Sequence, residues 1–200
     1  MRQKTLIIIA IAIITIVLIF MNFLLNNSVR TIKHGYLPIQ SFETTMANCK
    51  PLNYDLNDYN IKFSVPDATD VNVSSDIGEE MLFSTYLVNR KLSFRGYIQL
   101  WKIKDLERFL SNSKSLSPFD YRSYYISKVQ ESEYHGFITE WTAEFGPELI
   151  SGKEYWLKIN HTEEVVRLLI LTDTADFPDK LQNIIQEIID SLQIDKKSFV

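Results

Sequence analysis

Glu140 and Glu144 come nearest, by type and spacing, to a catalytic pair in this chain, both falling on one side of the alternating segment Phe137–Phe145. Paired carboxylates cleave glycosidic bonds when their carboxyl groups stand roughly 5 to 10 Å apart. Four residues of extended chain, at about 3.3 Å each, separate these two Cα atoms by roughly 13 Å. A cell-envelope hydrolase built on the sheet face would therefore need Glu140 to work with Thr142 or with a carboxylate on a neighbouring strand. The competing expectation is cross-strand charge pairing, with Lys158 or Arg167 as the partner. The histidines, His34, His135 and His161, fall in three separate contexts and read as surface residues, so neither a metal site nor a cofactor is expected. Asp173, Asp176 and Asp179 lack the ligand spacing and glycine of a calcium loop, and the last two are explained by the start of a helix. No G-x-S-x-G, H-E-x-x-H, Walker A or G-x-G-x-x-G pattern occurs, which removes the commonest hydrolase, zinc-protease and nucleotide signals. Cys49 is the single cysteine; it excludes an internal disulfide framework and leaves only a bridge between two chains.

Binding chemistry is better represented than catalysis. Trp141 and Trp156 lie in a section rich in amphipathic aromatics, and where such a pair opens onto a face it stacks on sugar rings or holds a peptide. Between Arg90 and Lys128 the chain carries nine Lys/Arg against three acids, and Glu131 to Asp195 carries fourteen acids against four bases. Arg90, Lys91 and Arg95 open the basic stretch and are the candidate contact for an anionic partner; neutralisation against the acidic C-terminal half is the alternative. The chain as a whole stands at −4. Residues beyond 50 hold sixteen bases against 24 acids, a balance that repels nucleic acid and excludes it as a partner.

These residues hang behind an apolar run. Leu6 to Leu25 (LIIIAIAIITIVLIFMNFLL) follows Arg2 and Lys4, and twenty helical residues span roughly 30 Å, the hydrocarbon thickness of a bilayer. The run is too long for a signal-peptide core and has no small-x-small exit, so it reads as an uncleaved anchor in the lipid bilayer. The short basic tail places the N-terminus in the cytoplasm and the remainder outside, a single-pass cell-membrane protein. The expected divisions are a tail (1–5), an anchor (6–25), a stalk (26–58), an α+β domain (59–195) and a C-terminal tail (196–200).

Within the domain, Ile61, Phe63 and Val65 alternate up to Pro66, which predicts a strand. Further strands are predicted over 81–88, 96–103, 121–129, 137–145, 155–159 and 165–171, the last three as an antiparallel meander whose final member is central. Leu106, Phe109 and Leu110 share one face of a short helix. Phe177, Leu181, Ile184, Ile185, Ile188, Ile189 and Leu192 form the stripe of a closing helix, with Asp176 as its cap and Pro178 in its first turn. The fold class is α+β, a mainly antiparallel sheet of six or seven strands with two helices.

The order of Ile61-Lys-Phe-Ser-Val-Pro66, a long antiparallel meander and a closing amphipathic helix entered through Phe177-Pro178 resembles the PsbP-like domains over residues 58 to 195. The resemblance implies an α-β-α sandwich and a non-catalytic accessory or interaction role. It carries no functional residue to a numbered position. A membrane or cell-wall protein is then the expected partner.

Overall fold

The computed structural model describes residues 48–74, 78–131, 134–159 and 164–197. The chain divides into two units, Met1–Phe42 and Glu43–Val200, and every described residue belongs to the second. The expected tail, anchor and most of the stalk lie outside the described residues. Among the described residues no helix is long and apolar enough to cross a membrane.

Among the described residues, ten strands form two sheets. Strands β3 (Asp70–Val73), β4 (Met81–Asn89), β5 (Phe94–Lys102), β6 (Asp120–Gln130), β7 (Tyr134–Phe145), β8 (Glu148–Ile159) and β9 (Glu164–Thr172) make a seven-stranded sheet in the order β3-β4-β5-β9-β8-β7-β6. Every neighbouring pair in it is antiparallel. The expected meander is β7-β8-β9, and β9 is central between β5 and β8, which is why Val165–Leu171 is apolar on both faces apart from Arg167. A second sheet places β2 (Tyr59–Pro66) between β1 (Cys49–Asp55) and β10 (Gln193–Lys196).

One face of the large sheet is covered by the small sheet and helix α2 (Asp179–Asp190). Ile61, Phe63 and Val65 of β2, Ile98 and Leu100 of β5, Val166, Leu168 and Ile170 of β9, and Leu181, Ile184, Ile185, Ile188 and Ile189 of α2 form one continuous core. Helix α1 (Leu106–Leu116) belongs to the opposite face, where Leu110, with Leu106 and Phe109 beside it, packs with Ile103, Trp156 and Val165. Its N-terminus is capped by Asp105, whose carboxylate accepts from the Arg108 amide at 3.0 Å.

The structure departs from the sequence reading at the edges. Cys49–Asp55, expected as the end of the stalk, forms β1. Only Lys50, Leu52 and Tyr54 of it are partly covered, and Pro51 is tolerated because this is an edge strand. Tyr54 fixes it, with its ring centre 5.7 Å from Phe63 and 5.0 Å from Phe83. The four-residue strands β3 and β10 are likewise additions, too short to show a period. The closing helix starts at Asp179 behind Pro178 and has no side-chain cap, so Asp176 does not cap it.

Candidate functional site

Strand alternation decides what the α1 face presents. Tyr97, Gln99 and Trp101 of β5, Arg167 and Leu169 of β9, Glu154 and Trp156 of β8, and Trp141 of β7 line one cleft there. A β-bulge between Tyr121 and Ser123 lets Tyr121 and Tyr124 reach the same cleft, although residues three apart in a regular strand face opposite ways. Helix α1 supplies Phe109, Leu110, Ser113 and Lys114, and the segment behind it supplies Ser117 and Phe119. The cleft is open on one side and holds about 450 Å³, within the range of small-molecule sites.

All three tryptophans of the chain meet in this cleft. Each indole N–H is held at the floor: Trp141 donates to Glu154 Oε1 at 3.3 Å, Trp156 to Glu154 Oε2 at 2.8 Å, and Trp101 to Gln99 Oε1 at 3.1 Å. Arg167 joins the two acceptors. Its Nε donates to Glu154 Oε2 at 3.3 Å, its Nη2 pairs with the same oxygen at 3.3 Å, and its Nη1 donates to Gln99 Oε1 at 3.2 Å. Gln99 is turned by its amide, which donates to Ser84 Oγ at 3.2 Å. The guanidinium lies 4.8 Å from the Trp156 ring centre and 5.7 Å from that of Tyr97, so the cation is sandwiched among π faces. The geometry of Gly152 matters here, since a Cβ would sit 2.4 Å from Trp141 Cζ2. Its lack of a side chain lets the indole lie flat across β8.

Burial pushes the Tyr124 hydroxyl up to about 12, with the Glu154 charge adding to the effect, and burial raises Tyr121 as well. Both phenols are neutral donors at physiological pH. The Lys114 ammonium stands 4.5 Å from the Tyr124 ring centre at the mouth. The result is a polar floor with its charges mutually engaged, aromatic walls and one cation at the rim. Such an arrangement holds a ligand by stacking and directed hydrogen bonds.

Trp141 and Trp156 are thus brought together, though as nearly buried walls, each 3% exposed, rather than as an open stacking platform. Arg90, Lys91 and Arg95 are not part of this cleft. Arg90 and Lys91 occupy the β4–β5 turn, where Arg90 approaches Asp70 at 3.8 Å. Lys91 borders a separate hollow with Asn48, Asp67 and Asn89. Arg95 is clamped by both oxygens of Asp173, at 2.6 and 2.8 Å. The carboxylates of the sheet face are also paired, but with partners other than those expected. Glu140 meets Lys153 at 2.7 Å, directly opposite in the β7–β8 register, and Glu144 meets Arg122 at 2.6 Å. His135 lies inside β7 opposite Lys158, not in a connection; His34 and His161 lie outside the described residues. Cys49 is a poor nucleophile, because burial and then the neighbouring Glu187 raise its thiol.

Sequence reasoning missed Glu154, Gln99 and Tyr124 as a group. The signal was present: once Tyr155 and Leu157 face the core, Glu154 and Trp156 must share the other face.

No family model matches the chain, and no curated protein matches it. Solved structures do. The Ran-binding protein Mog1p of Saccharomyces cerevisiae is 10% identical, with 73% of this chain and 95% of that one covered and a TM-score of 0.47. The solution structure of cyanobacterial PsbP (CyanoP) from Synechocystis sp. PCC 6803 is 10% identical, covering 78% and 98%, with a TM-score of 0.49. A Pseudomonas aeruginosa protein described as of unknown function and a putative regulator is 12% identical, covering 68% and 92%, at 0.38. The resemblance to PsbP-like domains is a likeness of fold alone.

Proposed function

We propose that this chain is a membrane-tethered, extracytoplasmic accessory module that binds rather than converts its ligand, with the tryptophan-lined cleft as its site. One observation carries the reading: the ionised groups at the cleft floor, Glu154 and Arg167, are held by one another and by two indole N–H groups. A general acid or base must be free to exchange a proton with substrate, whereas a binding floor needs its charges fixed. Leu6–Leu25 is the proposed anchor, with the N-terminus cytoplasmic and a membrane or cell-wall protein as the partner. The basic turn at Arg90 and Lys91 is the proposed contact for that partner.

Protease applied to intact cells should remove a C-terminal tag; complete protection of the tag reverses the proposed orientation. Filling the cleft with Ser113→Phe should abolish ligand binding without lowering the melting temperature. Turnover of a wall substrate that is lost in Glu140→Gln would establish the rival hydrolase and end the binding-module reading.

A further inference from the structure

The cleft has a net charge and a shape that narrow its ligand. Its lining holds two cations, Arg167 and Lys114, against one carboxylate, Glu154. A guanidinium carries five N–H donors. The contacts to Glu154 and Gln99 engage three of those on Arg167 and leave two with no partner among the described residues. Lys114, one turn beyond Leu110 on the cleft side of α1, adds a second donor at the rim. The walls between them are aromatic: Phe109 meets Trp156 edge-on at 5.4 Å, Phe119 stacks on Trp141 at 5.5 Å, and Tyr121 meets Tyr124 edge-on at 4.9 Å. The indole N–H donors are already engaged at the floor, so the tryptophans offer faces and edges rather than hydrogen bonds.

We propose that the cleft binds a small, flat organic monoanion, with the aromatic carboxylates as the simplest class. The ring slides between the aromatic walls, and the carboxylate accepts from the two remaining Arg167 donors and from Lys114. Arg167 suits this role because its fork is held from behind by Glu154 and Gln99, so its orientation is set before the ligand arrives. A neutral flat molecule would gain the stacking but not the charge-assisted hydrogen bonds. A dianion would exceed the single net positive charge of the cleft.

This inference rests on the binding-module reading, and the experiment separates the two. The full-length chain, carrying isotope-labelled tryptophan in lipid nanodiscs, displays three indole N–H resonances, all of which report from this cleft. Naphthoate is titrated against its uncharged isostere naphthamide, with empty nanodiscs as the partition control. Naphthoate should shift all three resonances and bind about tenfold more tightly than naphthamide. Lys114→Gln, a change at an exposed position, should weaken naphthoate about threefold and naphthamide by less, so that the preference between the two narrows. Ser113→Phe should abolish both. Equal binding of the two compounds overturns the anion preference while leaving the cleft as a binding site. Resonances that do not move with either compound, or binding that survives Ser113→Phe, overturn the cleft itself. Arg167→Lys keeps the charge and removes the fork; loss of the naphthoate preference without loss of naphthamide binding separates recognition from a merely structural role.

Discussion

The two faces of the large sheet are closed by different means. Toward α2 and the small sheet, the buried residues are almost entirely aliphatic and aromatic, and the core is continuous from Phe63 through Ile170 to Ile185. Toward α1, the apolar residues fall into two separate clusters, one around Trp141 and one around Trp156. Both indoles hydrogen-bond to Glu154, and Gln99 and Arg167 lie on the same floor. The first face closes into one continuous core. The second gives up packing to keep a cleft open and holds its shape with directed polar contacts.

The largest effect that follows from this contrast belongs to the closed face. Phe63 is 1% exposed and packs within the shared core, so Phe63→Ala should cost about 4 kcal/mol in denaturant unfolding. If an equally drastic truncation on the α1 face, Phe109→Ala, destabilises as much, the two faces are not energetically distinct and the comparison fails.

Next in size is the charge pair at the cleft floor. Glu154→Gln leaves Arg167 without its counter-charge, and breaking a pair this deeply covered costs about 3 kcal/mol. The double variant Glu154→Gln with Arg167→Met should recover most of that stability, because the penalty is the uncompensated cation rather than the loss of attraction. A double variant as unstable as the single one would show that the contacts to tryptophan, not the charge pair, hold the floor.

The same contrast explains what was legible in the sequence. The closed face repeats with a clean period: Ile61, Phe63 and Val65 at two, and Leu181, Ile184, Ile185, Ile188 and Ile189 at helical spacing. Strong periodicity is what burial on a single face writes into a chain. β1 and β10 were missed because edge strands are covered so lightly: β1 only in part at Lys50, Leu52 and Tyr54, and β10 only at Ile194. The cleft was hidden for another reason. Its polar residues come from three strands, with Gln99 far in the chain from Glu154 and Arg167, and only the register across β5, β9 and β8 makes them neighbours. Tyr121 and Tyr124 share a face through a bulge that breaks the period of two. Trp141 and Trp156 were recognised as a pair, but not the carboxylate that joins them.

A smaller effect sharpens the role of backbone approach in the cleft. Gly152→Ala places a methyl group 2.4 Å from Trp141 Cζ2, and the indole must move, at a cost of about 2 kcal/mol. Trp141 would then lose its bond to Glu154 and gain contact with water. Tryptophan emission should shift to the red, and unchanged emission would mean that the sheet, not the ring, gives way.

The smallest effect lies at the margin of the closed face's core, where the start of β9 meets the small sheet. Tyr59 donates its hydroxyl to Glu164, and Lys196 of β10 approaches the same carboxylate at 3.4 Å. Burial raises the Glu164 carboxyl, but the Tyr59 hydroxyl, its own backbone and Lys196 together bring it below its ordinary value. Burial, then Glu164, raises the Tyr59 phenol. A carboxyl lowered in the folded state contributes stability above its ordinary value of 4.5, and that contribution fades as pH falls through the folded value. A phenol raised in the folded state contributes fully below its ordinary value of 10.0 and loses the contribution as pH rises through the folded value. The stability difference between the parent chain and Tyr59→Phe should therefore be a plateau of about 1 kcal/mol between those limits, shrinking at both ends. Urea unfolding of both proteins across the acid limb measures it. A difference that stays constant well below the carboxylate range would show that Tyr59 contributes through ring packing alone and that Glu164 takes no part in joining the small sheet to the large one.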